Sequence, residues 1–150
     1  MIDFEILLKL AGAFALTLPI AYDRERSQRA AGIRTFPLVS VTACGFLLIG
    51  LRFLGDEALV NNARLMQGLI GGLGFLGGGA ILKTKASVKG MATATSIWCA
   101  GAIGMASAYG EWTAGFTLSL ITFFTLRIGT QVKEAVDHNG GENDERPSCD

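Results

Sequence analysis

Five long stretches almost free of charged residues divide this chain, and they constrain its fold more than any other feature. They cover residues 4–22, 36–54, 65–82, 91–109 and 112–126. Each is about as long as a helix that crosses a hydrocarbon core of ~30 Å. None alternates apolar and polar residues as barrel strands do, and a backbone in lipid must satisfy its own hydrogen bonds. The sequence therefore predicts an all-α, polytopic transmembrane helix bundle of about five spans.

The composition is typical of a membrane protein and gives no indication of a nucleic-acid partner. Only 17% of the residues are charged, whereas a water-soluble domain of this size needs more charge on its surface. The formal net charge is zero, so the sequence indicates no nucleic-acid partner. The lipid bilayer is the expected surrounding.

The positions of Lys and Arg predict the orientation. Ten of them follow the first, third and fifth stretches, and three lie near the opposite ends. Cytoplasmic segments are enriched in Lys and Arg, so the N-terminus is expected outside and the C-terminus in the cytoplasm. The chain opens with Asp3 and Glu5 rather than with basic residues, so the first stretch is expected to remain as a span.

The polar end of the chain predicts a tail rather than a second domain. We expect one transmembrane domain over residues 1–136 and a disordered tail over 137–150, which is too poor in apolar residues to order itself. The three cysteines are far apart and His138 lies in the tail, so neither a zinc site nor a disulfide framework is expected. With no nucleophile–base pair at a recognisable spacing, the sequence predicts no enzyme and no cofactor, and it leaves metal binding open.

The third stretch is unusually rich in glycine. Seven of the twelve residues at 68–79 are glycine, and small residues recur at every fourth position of the fourth stretch from Ala92 to Ala108. Small residues let helices approach closely in lipid, so we expect these two spans to pack tightly in the core of the bundle. The alternative is a broken helix whose backbone lines a polar cavity. The candidate packing or cavity residues are Gln67, Gly71, Gly74, Gly77, Gly78, Gly79, Thr93 and Thr95.

The loop after the first stretch carries a mixed acidic and basic cluster at residues 23–26. A solvated loop that sets the topology would explain its arginines. The carboxylates could instead pair with Arg34 or with the lysines of the loop at 83–89, since Arg holds a carboxylate in a fixed geometry. A structural clamp and a functional site therefore both remain open for this loop.

Three motifs in order resemble the MgtC/SapB family of bacterial membrane proteins. They are the first loop, the glycine-rich segment at 72–81 and the segment at 88–98. The first-loop residues that carry the resemblance are Arg24, Glu25, Arg26, Gly32, Arg34 and Thr35. The sequence departs from the family pattern at Pro19 and Tyr22. Longer members carry a C-terminal ACT-like domain, and the resemblance implies a short form that is expected to lack it.

The resemblance implies a multi-pass protein of the bacterial inner membrane. It implies regulation of another membrane complex, related to magnesium transport or to ATP synthase, under magnesium or acid stress. The expected partner is an integral membrane protein complex, and a homo-oligomer is a second candidate. The alternative function is a small secondary transporter or channel for magnesium or another small ion.

Overall fold

The computed structural model describes residues 4–27, 31–53, 58–83 and 87–141. Within these ranges the chain forms helices α1 (Phe4–Arg26), α2 (Thr35–Phe53), α3 (Ala58–Gly79), α4 (Met91–Tyr109) and α5 (Trp112–Gly141). Two short strands, β1 (Leu82–Lys83) and β2 (Val88–Lys89), pair in antiparallel fashion between α3 and α4. The all-α class is confirmed, and the small hairpin is a feature that the sequence did not predict.

Two of the described helices are long and apolar enough to cross a membrane, namely α1 and the segment Thr35–Arg52 of α2. The core helix of a soluble protein would be mostly buried, but only 22% of the apolar window of α1 and 33% of that of α2 are buried. Large apolar side chains such as Phe4, Leu38 and Phe75 are also mostly exposed. An exterior of this kind suits lipid rather than water.

The helix bounds agree with the apolar stretches only in part. Helix α4 coincides with the stretch at 91–109, whereas α3 begins at Ala58, seven residues before its stretch. Helix α5 continues to Gly141, beyond the expected domain end at 136, and the remainder of the expected tail at 142–150 lies outside the described residues. Helices α3 and α5 extend beyond their apolar stretches because backbone hydrogen bonding can continue a helix where its side chains are polar.

Helix α4 is the centre of the bundle, because it contacts each of the other four helices. One buried cluster joins Ala21 of α1, Phe36 of α2, Leu73 of α3 and Ala100 of α4. A second joins Ala13, Cys44, Leu47 and Ala108, and a third joins Ile20, Ile103 and Leu126. Helix α3 packs on α4 and, less extensively, on α2, so it borders the bundle.

The small residues of α4 do not all pack against α3, the neighbour that was expected. Ser96, Ala100, Gly104 and Ala108 are buried, while Ala92 is exposed. A Cβ at Gly104 would collide with the backbone carbonyl of Ser40 on α2. The expectation that this ladder packs against α3 is therefore met only in part: Ala100 shares a buried cluster with Leu73 of α3, whereas Gly104 meets α2. Helix α3 also contacts Trp98 and Gly101, which are not members of the ladder.

Candidate functional site

Both polar loops of the sequence lie at one end of the bundle. The buried cluster that contains Ala21, Phe36, Leu73 and Ile97 joins the last turns of α1, the first turn of α2, the second half of α3 and the first half of α4. The loop after α1 and the hairpin after α3 therefore leave the bundle on the same side. The first-loop motif and the hairpin form one candidate surface there.

A buried ion pair lies where α1 reaches this surface. Asp23 and Arg24 are only 9% and 2% exposed, and Nη2 of Arg24 lies 3.6 Å from Oδ2 of Asp23. A buried charge is costly unless another charge or polar group compensates it, so the two side chains depend on each other. The motif at 24–26 pointed to Arg24, but its sequence gave no sign that Asp23 would also be buried.

Glu25 holds the first loop in place. Its Oε2 accepts a hydrogen bond from the backbone N–H of Ile33 at 3.0 Å, and a Cβ at Gly32 would collide with the same oxygen. The carbonyl of Gly32 then accepts hydrogen bonds from the N–H groups of Thr35 and Phe36 at the start of α2. Among the described residues, the partner of Glu25 is thus the backbone amide of Ile33. Pairing with Arg34 or with a lysine of the second loop was the alternative that the sequence left open.

The other members of the first-loop motif take different positions. Arg26 and Arg34 are exposed, and Thr35 is half-buried as the first residue of α2. Gly32 is buried. The exposed arginines are available to a partner or to lipid headgroups, while Glu25 and Gly32 shape the loop.

We expect Glu25→Ala to lower the stability of the folded chain by about 1 kcal/mol, because the amide of Ile33 loses its acceptor. Glu25→Gln should cost less, since its side-chain oxygen can still accept the bond. Thermal unfolding of the purified protein in detergent measures both effects. Arg26→Ala, at an exposed neighbouring position, serves as the control; a Glu25→Ala melting temperature equal to that of the control would contradict the clamp.

Most of the glycine-rich segment of α3 faces away from the rest of the chain. A Cβ at Gly74 or Gly77 would lie 3.8 Å or 3.5 Å from Trp98 of α4, which is ordinary contact. No atom lies within 4 Å of the corresponding position at the other five glycines, Gly68, Gly71, Gly72, Gly78 and Gly79. The expectation that this segment as a whole packs tightly in the core is therefore wrong.

The broken-helix alternative also disagrees with the structure. Helix α3 is continuous from Ala58 to Gly79. Gln67 and Thr95 are exposed, whereas Thr93 is buried, so these residues do not line a common path. The hydroxyl of Thr95 donates to the carbonyl of Met91 at 2.9 Å, as hydroxyls in membrane helices commonly do within their own helix.

A groove of about 530 Å³ lies between α2 and α3. Its lining includes Leu38, Thr42 and Phe46 from α2 and Arg64, Gly68 and Gly72 from α3. Two of the open glycines thus line the groove, while Gly71 and Gly78 lie on the adjoining exposed face of α3. We call the face formed by Gln67, Gly71, Phe75 and Gly78 the open glycine face; these residues lie on one side of α3 by helical spacing, and all are exposed.

Sequence reasoning placed Asp23, Gly90 and Gly104 in motifs but did not predict what each of them contacts. Gly90 adopts a φ of 92°, and a Cβ there would collide with the carbonyl oxygen of Ala80. A glycine directly before the α4 stretch was the available signal for this conformation. In the part of the chain that the structure describes, no group of three or more His, Cys, Asp or Glu side chains is arranged to hold a metal ion.

The sequence is similar to a family of known proteins and to several of its individual members. The sequence pattern of the MgtC family matches residues 10–135. The chain is 39% identical over 137 residues to Protein SrpB of Synechococcus elongatus, covering 83% of this chain and 71% of that protein. It is 31% identical over 121 residues to Protein MgtC of Salmonella typhimurium, covering 81% and 51%, and 35% identical over 126 residues to an uncharacterized protein of Synechocystis, covering 82% and 53%.

The chain therefore spans about half the length of the Salmonella and Synechocystis relatives. No solved structure matches it.

Proposed function

The chain belongs to the MgtC family, and from this premise we propose that it is a multi-pass inner-membrane protein that regulates another membrane complex. It acts without catalysing a reaction, by binding that complex within the plane of the bilayer. The family resemblance supplies the class of partner, a complex of magnesium transport or ATP synthesis that works under magnesium or acid stress. The apolar exterior of α1 and α2 supports the membrane setting.

In this proposal the five helices are five spans, with the N-terminus outside and the C-terminus in the cytoplasm. The cluster of Ala21, Phe36, Leu73 and Ile97 supports an alternating path, because it brings the loop after α1 and the hairpin after α3 to one side. Ten of the 13 Lys and Arg residues lie in the last turn of α1 and the loop after it, in the hairpin after α3, or from Arg127 of α5 onward. The positive-inside rule then assigns that side to the cytoplasm.

The open glycine face is the observation that carries the proposal. Phe75 is 83% exposed, and Gly71 and Gly78 on either side of it have no atom within 4 Å of a Cβ position. Glycines on a membrane helix let a second backbone approach closely, and interface energy concentrates in buried aromatic anchors. A phenylalanine between two glycines is therefore suited to packing against a helix of another protein.

The test places a photo-crosslinking amino acid at position 75 in the full chain and identifies the captured membrane protein in cells grown at low magnesium. We expect Gly78→Leu to lower this capture about tenfold, because the added side chain holds the partner helix away. Gly129→Leu is the matched control, since Gly129 is an open glycine on α5. Equal capture from both variants, or the absence of any specific product, would overturn the proposal.

Transport by the chain itself is the rival function, and liposome flux separates the two. If the chain is a regulator, we expect no flux of Mg²⁺ or H⁺ into liposomes that contain only the purified, correctly inserted protein. Selective and saturable flux would replace the regulatory proposal with a transporter.

A further inference from the structure

The groove between α2 and α3 has the length of one bilayer leaflet. It extends along α3 from Arg64 to Leu76, which is about 18 Å at the rise of an α-helix. One leaflet contributes about half of a hydrocarbon core of ~30 Å. Leu38 and Phe46 of α2 form the opposite wall, and both are more than half exposed towards the surroundings.

Two missing side chains create this space. Gly68 and Gly72 lie one helical turn apart on the groove side of α3, and neither has an atom within 4 Å of a Cβ position. A leucine at either position would project into the groove and fill it. Glycine here therefore opens a volume, whereas Gly104 allows two backbones to meet.

The charge distribution along the groove is one-sided. Arg64 is exposed at one end, and it is the only charged residue among the described residues that line the groove. Thr42 is the only other polar side chain among them, so the rest of the lining is apolar. A long arginine side chain can lie along apolar surface and present its guanidinium group to an anion near the interface.

We propose that the groove binds an acyl chain of an anionic phospholipid from the surrounding bilayer, with the lipid phosphate held by Arg64. The proposal rests on the membrane setting of the proposed function, but it requires no partner protein. A groove of about 530 Å³ matches the size of clefts that bind small molecules, so an acyl chain fits in it. The single arginine at one end of an otherwise apolar lining suits a lipid, which joins an anionic phosphate to an apolar chain.

The test is native mass spectrometry of the purified full chain with equal amounts of phosphatidylglycerol and phosphatidylethanolamine. We expect the unmodified chain to retain phosphatidylglycerol preferentially. Arg64→Gln should reduce that preference about fivefold, the size of one cation–lipid contact. Gly72→Leu should remove the bound lipid, while Gly129→Leu, which adds the same side chain to an open position on α5, should retain it.

Circular dichroism and gel filtration establish that each variant is folded, and Gly68→Leu replaces Gly72→Leu if the latter does not fold. Equal lipid retention by all variants would overturn the proposal. So would retention of free fatty acid without phospholipid, or a dimer of the chain that Gly72→Leu dissolves. The measurement uses the purified chain alone, so its failure would leave the result of the crosslinking at position 75 unaffected.

Discussion

Gly104→Leu is expected to prevent the chain from folding, because no side chain fits between α4 and α2 at this position. A Cβ at Gly104 would collide with the carbonyl oxygen of Ser40 and lie 2.8 Å from its carbonyl carbon. Both atoms belong to the backbone of a helix, so they cannot rotate away as a flexible side chain can. The helices would have to separate where α4 is the centre of the bundle. We expect a loss of about 3 kcal/mol or more in the free energy of unfolding.

Denaturant titration of the purified protein, together with the amount of monodisperse protein recovered from membranes, measures this loss. Gly104→Ala should give a smaller loss in the same direction, because it adds one methyl group at the same contact. Gly45→Leu on α2 is the control, since no atom lies within 4 Å of a Cβ there. It should be neutral or slightly stabilising, because glycine is a poor helix former by about 1 kcal/mol. Equal stability of Gly104→Leu and Gly45→Leu would show that α2 and α4 do not meet at Ser40.

Gly90→Ala is expected to have the second-largest effect. Gly90 adopts a left-handed conformation, with a φ of 92°, directly before α4. This conformation costs an L-residue about 1–2 kcal/mol. The new Cβ would also collide with the carbonyl oxygen of Ala80 and lie 3.3 Å from the Cα of Ile81. We therefore expect a loss of about 3 kcal/mol or more, because both the strain and the backbone contact oppose the substitution.

Substitutions at Gly110, at the other end of α4, measure the cost of the left-handed conformation without the cost of a backbone contact. Its φ is 76°, but no atom lies within 4 Å of a Cβ, so Gly110→Ala should cost about 1 kcal/mol from the conformation alone. Asparagine tolerates the left-handed region, so Gly110→Asn should recover most of that loss. Gly90→Asn should not recover, because the contact with Ala80 remains. Thermal unfolding of the four variants is the measurement, and recovery at both positions would contradict the close approach of Ala80.

The local features of the fold could be predicted to different extents. The bounds of α4 followed from its apolar stretch, because Gly90 and Gly110 end the stretch and also cap the helix. The start of α3 at Ala58 could not be predicted from its apolar stretch, because the first turns of the helix contain polar residues such as Asn62 and Arg64. The hairpin after α3 was missed because two strands of two residues each leave no readable alternation.

The candidate site was predicted as a set of residues but not as an arrangement. The first-loop motif includes Arg24 and Glu25, but it did not indicate that Asp23 and the amide of Ile33 contact them. A carboxylate can bind an arginine or a backbone amide equally well, and the sequence alone does not rank them. The glycine-rich segment was read as one packing surface, although it forms a contact with Trp98, a groove and the open glycine face.

The sequence by itself determined that the chain is helical, that its exterior is apolar and that it belongs to a family of membrane proteins. Length and apolarity suffice for this, because a backbone in lipid has so few ways to satisfy its hydrogen bonds. Only the tertiary structure decided which small residues meet another backbone. Gly72 and Gly104 are chemically identical, and they differ because α2 leaves a groove beside one and presses its carbonyl against the other. That difference depends on distances between helices, which the spacing of residues along one helix does not contain.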